Sequence, residues 1–180
     1  MNLRTLRLRG VWLLVIPFLL LARPTPALLQ IGAALALLGV ALRAWAAGYI
    51  HKERALSTHG PYAHTRNPLY LGSFLIGVGV SVAAGRVALL ILFGLFYLAV
   101  YGRVIRGEAR LLEERFGAVY VRYAEAVPLF FPRIARYRAD GTGEPEPRFT
   151  VERWRRNREY EALLGVAVGF LFLTAKLLLR

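Results

Sequence analysis

The chain contains no cysteine and few acidic residues among its 180 positions. Without cysteine it has no disulfide framework, no thiolate nucleophile and no cysteine-ligated metal. It also has no P-loop, no GxGxxG fingerprint and no serine nucleophile elbow. Charged residues make up 19% of the sequence, whereas soluble domains have about 25%. These absences exclude several common kinds of enzyme site and argue against a soluble domain.

What the sequence does contain is an unusual combination of apolar residues and positive charge. Hydrophobic residues account for 57%, the mean hydropathy is +0.45, and 24 Lys and Arg against 11 Asp and Glu leave a formal net charge of +13. A disordered basic tail would have few aliphatic and aromatic residues, and a soluble nucleic-acid binder would need a more polar surface. The composition predicts a small membrane protein whose basic residues meet one leaflet.

Five stretches are apolar enough to be membrane helices: residues 10–21, 27–47, 69–84, 87–101 and 162–179. A span needs about 17–25 residues to cross the hydrocarbon layer, so the first, third and fourth are at or below the limit. Tight connections at 23–26 and 85–86 predict two antiparallel hairpins. We therefore expect an all-α, multi-pass membrane helical bundle of about five transmembrane helices plus cytoplasmic interfacial helices.

The chain is predicted to form a single membrane domain, residues 1–180. Arg23 and the prolines at 24 and 26 disfavour reading the first stretch as a cleaved signal peptide. The divisions are an N-terminal hairpin (1–47), a core (48–134), a cytoplasmic linker with an interfacial helix (135–161) and a C-terminal transmembrane helix (162–180). Within the third division, residues 139–150 resemble a linker and 151–161 a basic interfacial helix.

The distribution of charge predicts the orientation. Three Arg precede the first stretch, three Lys or Arg follow the second up to Arg66, and thirteen lie in residues 103–158, which is nineteen of the 24. All 11 acidic residues fall within 53–161. By the positive-inside rule the N-terminus, the 48–68 loop and the 102–161 segment are cytoplasmic and the C-terminus is outside. We expect a multi-pass protein of a prokaryotic inner membrane.

Small residues and one arginine stand out within the spans. Gly32 with Ala36, and Gly165 with Gly169, have the spacing of helix-packing seams. Arg43 lies late in the second span, where it either reaches the nearby cytoplasmic boundary or faces a polar cavity inside the bundle.

The first cytoplasmic segment converges on a helix start. Asn67 suits an N-cap and Pro68 the first helical position, and Arg66 directly precedes them. Each residue has an ordinary structural explanation as a cap or an interfacial anchor. Together they offer free backbone N–H groups and a guanidinium, which suit an anionic group of a ligand.

The second cytoplasmic segment, residues 104–123, has apolar residues at helical spacing. Glu108 falls on that apolar face, where it is either paired with an Arg or part of a site, whereas Glu113 and Glu114 point away. The apolar run 127–132 is too short to span and either lies in the interface or covers a cavity. His51, His59 and His64 share no helix face and have no acidic or cysteine partners, so no metal site is predicted.

These segments resemble the integral-membrane methyltransferases, a group that includes isoprenylcysteine carboxyl methyltransferase and the phospholipid N-methyltransferases. The resemblance covers about residues 48–134. It rests on Leu56-Ser57-Thr58-His59-Gly60-Pro61-Tyr62, on Arg66-Asn67-Pro68-Leu69-Tyr70-Leu71-Gly72, and then on Glu108, Phe116-Gly117, Tyr120, Tyr123, Val127-Pro128 and Pro132 in this order.

The resemblance implies transfer of a methyl group from S-adenosylmethionine to a lipophilic, prenyl or lipid-like acceptor that enters from the bilayer. It implies catalytic roles for Arg66 and Glu108. Little covalent help is needed from the protein, so positioning and exclusion of water would dominate. The implied cofactor-binding residues are Gly60, Pro61, Tyr62, His64, Arg66, Asn67, Pro68, Tyr70, Leu71, Gly72, Glu108 and Tyr120.

Two positions depart from the pattern of the family. Asn67 stands where the family usually has His, and an amide cannot titrate near neutral pH. Ala109 follows Glu108 where the family commonly has a second Glu. These departures put a proton-handling role at residue 67 and a paired carboxylate at 108–109 in doubt.

Two other functions remain open on the sequence. One is an NADPH-dependent membrane reductase of sterol-like or isoprenoid substrates, in which the Arg-rich segment would hold a 2′-phosphate. The other is a non-catalytic membrane protein that has kept the fold. Nucleic-acid binding is not expected, because the Arg residues are interleaved with Glu and lie beside anionic headgroups. The acceptor atom and the oligomeric state are left open.

Overall fold

A computed structural model describes residues 3–50, 56–138 and 149–179. Every regular element among these residues is a helix, so the all-α prediction is confirmed. The predicted linker falls largely on residues 139–148, which lie outside the described residues. The α-helices are α1 (Leu3–Leu21), α2 (Pro26–Ala47), α3 (Pro68–Ala83), α4 (Val87–Phe116), α5 (Ala118–Ala126), α6 (Val151–Arg156) and α7 (Tyr160–Leu178), with a short 3-10 helix at Gly60–Ala63.

Local sequence signals explain where the helices begin and turn. Pro26 opens α2, and the Thr25 side chain accepts a hydrogen bond from the Leu28 amide at 3.4 Å. Gly85 between α3 and α4 has φ of 69°, and Gly117 between α4 and α5 has φ of 52°. Both angles lie in the left-handed region that glycine adopts without steric cost. The turn at Gly85 therefore produces the predicted α3–α4 hairpin.

Helices α2 and α3 approach each other through a seam of small residues. A Cβ placed on Gly79 would lie 2.5 Å from the Gly32 carbonyl oxygen, and one on Gly72 would lie 2.7 Å from the Gly39 carbonyl oxygen. Ala36 is fully buried in the same contact. The predicted Gly32–Ala36 seam is confirmed, because the two backbones are too close to admit larger side chains.

The second predicted seam, at Gly165 and Gly169 of α7, is wrong. A Cβ on either residue would have no atom of the described residues of other elements within 4 Å. Helix α7 instead buries Val166 and Leu173. The GxxxG spacing alone does not predict a packing seam, because it does not specify which face of a helix contacts a neighbouring helix.

The sparsely charged ends of the helices meet at one end of the bundle. The Arg23 amide donates to the Ala84 carbonyl at 2.7 Å, which joins the α1–α2 turn to the end of α3. Lys176 Nζ of α7 donates to the Leu19 carbonyl of α1 at 2.6 Å. The motif segments 56–72 and 104–132 lie at the opposite end of the bundle. Helices α1 to α4 and α7 therefore alternate in direction, as the predicted hairpins require.

Among the described residues, three helices are long and apolar enough to cross a membrane, namely α2, α4 and α7. The other two apolar segments, Trp12–Leu21 and Pro68–Ala83, are shorter. At 16 residues, α3 reaches about 24 Å at 1.5 Å per residue, less than the hydrocarbon thickness of about 30 Å. The span count that length and composition support is about three, lower than the expected five.

Two predicted boundaries differ from the structure. Helix α4 does not end near residue 101 but continues to Phe116, so the fourth apolar stretch and the second cytoplasmic segment share one helix. The predicted interfacial helix at 151–161 is broken, because α6 ends at Arg156 and α7 begins at Tyr160. Arg158, in the break, has φ of 55°.

Candidate functional site

A cavity of about 350 Å³ lies between the start of α3 and the C-terminal part of α4 with α5. Its volume falls within the range of small-molecule sites, about 300–1,000 Å³. Two segments separated by the α3–α4 hairpin supply most of its walls. Of the residues predicted to form a site, seven line it: Tyr62, Arg66, Asn67, Pro68, Tyr70, Glu108 and Tyr120.

The other five predicted cofactor-binding residues do not line this cavity. Gly60 has φ of 60° and would collide with the Tyr49 ring if it carried a Cβ. The Pro61 carbonyl accepts from the amide of His64 at 3.1 Å, closing the turn before α3. Leu71 and Gly72 follow in α3, where Gly72 contacts α2. These residues shape the backbone behind the cavity rather than its surface.

His64 also contacts the backbone and not the cavity. Its Nδ1 lies 3.0 Å from the Arg133 carbonyl oxygen, and the Arg133 amide donates to the His64 carbonyl at 2.9 Å. Both contacts hold the 128–137 segment against the turn. The His64 ring is therefore directed to the chain and not to the cavity.

Arg66 is the cationic residue directly before the N-cap of α3. Its Nη1 donates to the Tyr120 hydroxyl at 3.1 Å, and its backbone amide donates to the Pro128 carbonyl at 3.0 Å. Its Nε is buried and has no hydrogen-bond partner among the described residues. A buried N–H of a guanidinium without a partner carries a desolvation cost that an anionic ligand group would offset.

Asn67 does not act as the side-chain cap that its position predicts. It occupies the N-cap position of α3, yet its side chain accepts no capping hydrogen bond. The Asn67 amide nitrogen Nδ2 instead donates to the Leu129 carbonyl at 2.9 Å. The side chain is thus engaged with the 128–132 segment and does not cap the first turn of α3.

Glu108 reaches the cavity from α4, but it does not lie on a buried face as predicted. Its side chain is exposed at the rim, and no ion pair to Glu108 is found among the described residues. Ala109 beside it also lines the cavity. The expectation of a buried carboxylate is wrong because the α4 face around Glu108 borders open cavity instead of packed side chains.

Three tyrosines form the inner wall. Tyr62, Tyr120 and Tyr123 are all buried, and the Tyr123 hydroxyl donates to the Tyr62 carbonyl at 2.7 Å. Burial raises the pKa of the Tyr62 phenol and of the Tyr123 phenol far above the usual value. Both are therefore neutral phenols at physiological pH.

The apolar run after α5 packs beside the cavity. The Thr65 hydroxyl donates to the Phe130 carbonyl at 2.8 Å. The Phe130 ring lies 5.8 Å from Phe74 of α3 and 6.1 Å from Tyr97 of α4, measured between centroids. Phe131 is 76% exposed. The run therefore covers the groove between α3 and α4 and presents an aromatic ring outward.

Several lining residues were missing from the predicted site. Leu112, Arg115 and Phe116 follow Glu108 on the same helix face at four, seven and eight residues. Helical spacing from Glu108 would have found them. Ile50 and Ala109 had little signal of their own. The other four belong to the quoted motifs, namely Leu56, Ser57, Leu69 and Tyr123.

Metal-ligating residues do not gather in the described part of the chain, where no group of three or more His, Cys, Asp or Glu is found. His59 Nδ1 lies 3.3 Å from the Thr58 hydroxyl. His51 lies outside the described residues.

Comparison with known proteins identifies similarity along most of the chain. A family model described as phospholipid methyltransferase matches residues 28–119. The cobalt-zinc-cadmium resistance protein CzcN of Cupriavidus metallidurans is 34% identical over 150 residues, covering 74% of this chain and 67% of the relative. The nickel-cobalt-cadmium resistance protein NccN of Alcaligenes xylosoxydans xylosoxydans is 33% identical over 150 residues, covering 74% and 68%.

A third relative carries an enzyme name. Protein-S-isoprenylcysteine O-methyltransferase of Schizosaccharomyces pombe is 32% identical over 84 residues, covering 47% of this chain and 36% of that protein. No solved structure shows significant similarity to the chain.

Proposed function

The chain belongs to the phospholipid methyltransferase family, and on that premise we propose that it transfers a methyl group from S-adenosylmethionine to a lipophilic acceptor at the membrane surface. The observation that carries the proposal is Arg66, which lines a ligand-sized cavity and whose guanidinium is incompletely paired, since its buried Nε has no partner among the described residues. Membership of the family supports a membrane methyltransferase. We infer the methyl donor, the acceptor class and the residue roles from the lining of the cavity.

The residues present fit this cofactor. Arg66 would hold its carboxylate with the guanidinium already oriented by the Tyr120 hydroxyl. Glu108 at the rim would take its ammonium or a ribose hydroxyl. Tyr62, Tyr70 and Phe116 supply aromatic surface around a cationic group. Arg66 and Glu108 thus lie on separate walls, which suits a ligand that carries both charges, and Arg115 adds a second cationic residue on the wall of Glu108.

When bound, the cofactor supplies an electrophilic methyl group on a sulfonium centre. The chain's contribution is to hold the two reactants in line and to keep water out. Tyr62 and Tyr123 close the inner wall as neutral phenols. Glu108 is the carboxylate among the described lining residues, so it is the group placed to accept a proton from an acceptor.

A lipophilic acceptor is favoured by the place of the cavity in the fold. Tyr70 of α3 lines the cavity and its ring lies 5.8 Å from Tyr101 of α4. Tyr101 stacks on Tyr97 at 4.6 Å. This aromatic path runs along the α3–α4 groove towards the apolar part of both helices. A prenyl or acyl chain could follow it while the head group remains at the cavity.

Family membership does not favour an NADPH-dependent reductase. The non-catalytic alternative rests on Asn67 and Ala109, and neither blocks the cavity: Asn67 tethers a neighbouring segment and Ala109 leaves space beside Glu108. Methyl transfer to a polarised acceptor needs positioning more than a titrating residue at position 67.

The test is calorimetric titration of detergent-purified protein with S-adenosylmethionine, its demethylated product S-adenosylhomocysteine, and NADPH. We expect binding of the first two and not of NADPH. Binding of NADPH alone would favour a reductase, and a folded protein that binds none of the three would contradict both enzyme functions.

A further inference from the structure

Arg43 and Glu159 form an internal ion pair between α2 and the start of α7. Arg43 Nε lies 2.9 Å from Glu159 Oε2, and Arg43 Nη2 lies 2.9 Å from Glu159 Oε1. The side chains are 23% and 6% exposed. Of the two expectations for Arg43, the structure favours an interior role, because the guanidinium is bound by groups of the bundle instead of extending to the boundary.

The same guanidinium reaches the first turns of α3. Arg43 Nη1 donates to the Ser73 hydroxyl at 2.5 Å and to the Leu69 carbonyl at 3.4 Å. The Arg43 stem lies against Gly72, where a Cβ would come within 2.6 Å of Arg43 Cγ. Leu69 lines the cavity on the opposite side of this contact. Arg43 therefore joins the back of the cavity wall to α2 and α7.

An arrangement of this kind is costly unless every charge is paired. Removing two charges from water carries a penalty that only good geometry and further hydrogen bonds offset. Glu159 supplies both oxygens to Arg43, and Ser73 takes one of the remaining donors. Loss of the Glu159 charge would leave the partly buried Arg43 guanidinium beside α3 with incomplete compensation.

The segment that carries Glu159 is attached to the same region by other contacts. Asn157 Nδ2 donates to the Ala47 carbonyl at 2.9 Å, and the Thr150 amide donates to the Gly48 carbonyl at 3.3 Å. These bonds satisfy carbonyls at the end of α2. Residues 149–159 therefore dock on the end of α2 beside the cavity.

We propose that the Arg43–Glu159 pair positions the cavity wall formed by the first turn of α3, and so makes the cavity depend on the C-terminal segment. Arg43 and Glu159 are positioning residues, since neither lines the cavity. Glu159 lies beyond residues 28–119 that match the family model. The consequence for cofactor binding rests on the proposed function, whereas the positioning of α3 does not.

The first experiment measures the wall directly and needs no cofactor. Because the chain has no cysteine, Leu69→Cys introduces a single thiol at the cavity, and its reaction rate with a small methanethiosulfonate reagent reports exposure of this turn. In the Leu69→Cys background, Glu159→Gln should raise the labelling rate of the folded protein about fivefold or more, as expected when a buried pair is broken.

Glu161→Gln is the matched control, because Glu161 lies two residues further on in an exposed ion pair with Arg158. It should leave the labelling rate unchanged. If the pair only adds stability, Glu159→Gln would lower the unfolding temperature without changing the labelling rate of the folded protein. That result would overturn the proposal. If Glu159→Gln does not fold, Arg43→Lys keeps the charge but loses the shared contacts and gives the same comparison.

The second experiment measures S-adenosylmethionine affinity of Glu159→Gln and Glu161→Gln without the added cysteine. We expect a rise in Kd of about tenfold for the first and none for the second, since small displacements of a binding wall are costly. Faster labelling in a protein whose wild type binds no S-adenosylmethionine would support the positioning role and reject the proposed function. Unchanged labelling would reject the positioning role whether or not the cofactor binds.

Discussion

At the scale of single residues, the candidate site depends on the Arg66 guanidinium, whose hydrogen-bond donors are only partly paired. The guanidinium of Arg66 is oriented by one bond to the Tyr120 hydroxyl, and its Nε has no partner among the described residues. The side chain of Asn67 is already engaged with Leu129. Charge and unsatisfied donors therefore concentrate on Arg66 and not on its neighbour, although both belong to the same motif.

Replacing Arg66 by Gln should raise the Kd for S-adenosylmethionine by about 10- to 100-fold, because hydrogen bonds to charged groups contribute about 1.5–3 kcal/mol. Arg66→Lys should recover only part of this loss, since an ammonium cannot reproduce the planar fork. Isothermal titration calorimetry measures both variants. Arg122→Gln, an exposed arginine of α5, is the control, and equal affinities in all three variants would place the cofactor elsewhere.

At the scale of helices, the α2–α3 contact determines where α3 begins relative to the cavity. Its glycines let the two backbones approach so closely that carbonyl oxygens of one helix lie only 2.4–2.7 Å from where Cβ atoms of the other would be. At the end of this contact beside the cavity, Arg43 joins α3 to Glu159, the N-cap residue of α7. The cavity wall at Leu69 and Tyr70 is thus supported from behind by packing, not by residues that line the cavity.

Gly79→Ala should lower the free energy of unfolding by about 1–3 kcal/mol, because the added methyl group would lie 2.5 Å from the Gly32 carbonyl oxygen and force the helices apart. Thermal unfolding in detergent, followed by circular dichroism, measures the change. Gly94→Ala in α4 is the matched control, since a Cβ there has nothing within 4 Å. Equal unfolding temperatures for the two variants would contradict the close α2–α3 contact.

At the scale of the whole molecule, the two ends of the helical bundle differ in both charge and structure. Arg23, Arg86 and Lys176 belong to the end where α1 meets α3, α4 and α7. The cavity and the Arg-rich segment belong to the other end. The positive-inside rule predicts that the cavity end faces the cytoplasm.

Labelling of single cysteines in intact cells tests this orientation with a membrane-impermeant maleimide. Val87→Cys lies at the start of α4, where Val87 is 74% exposed, and Glu125→Cys lies on the exposed side of α5. We expect Val87→Cys to react in intact cells and Glu125→Cys to react only after permeabilisation. The reverse pattern would mean that the bundle is inverted.

How far the sequence predicts the site depends on how far apart along the chain the contacting residues are. The turn and helix start at 60–70 and the helix face of Glu108 are local patterns, and seven of the predicted residues do line the cavity. The prediction failed where a residue's surroundings come from remote segments. Glu108 is exposed, Asn67 binds the 128–132 segment, and Gly165 meets no neighbour.

The sequence by itself determined the helical class, the apolar segments, the charge asymmetry and the two motif segments, because periodicity and composition are properties of consecutive residues. Only the tertiary structure decided which motif residues face the cavity and which support it. It also brought Arg43 to Glu159, 116 positions along the chain. Helical periodicity specifies a face relative to the helix axis, whereas the neighbour of that face follows from how the helices pack.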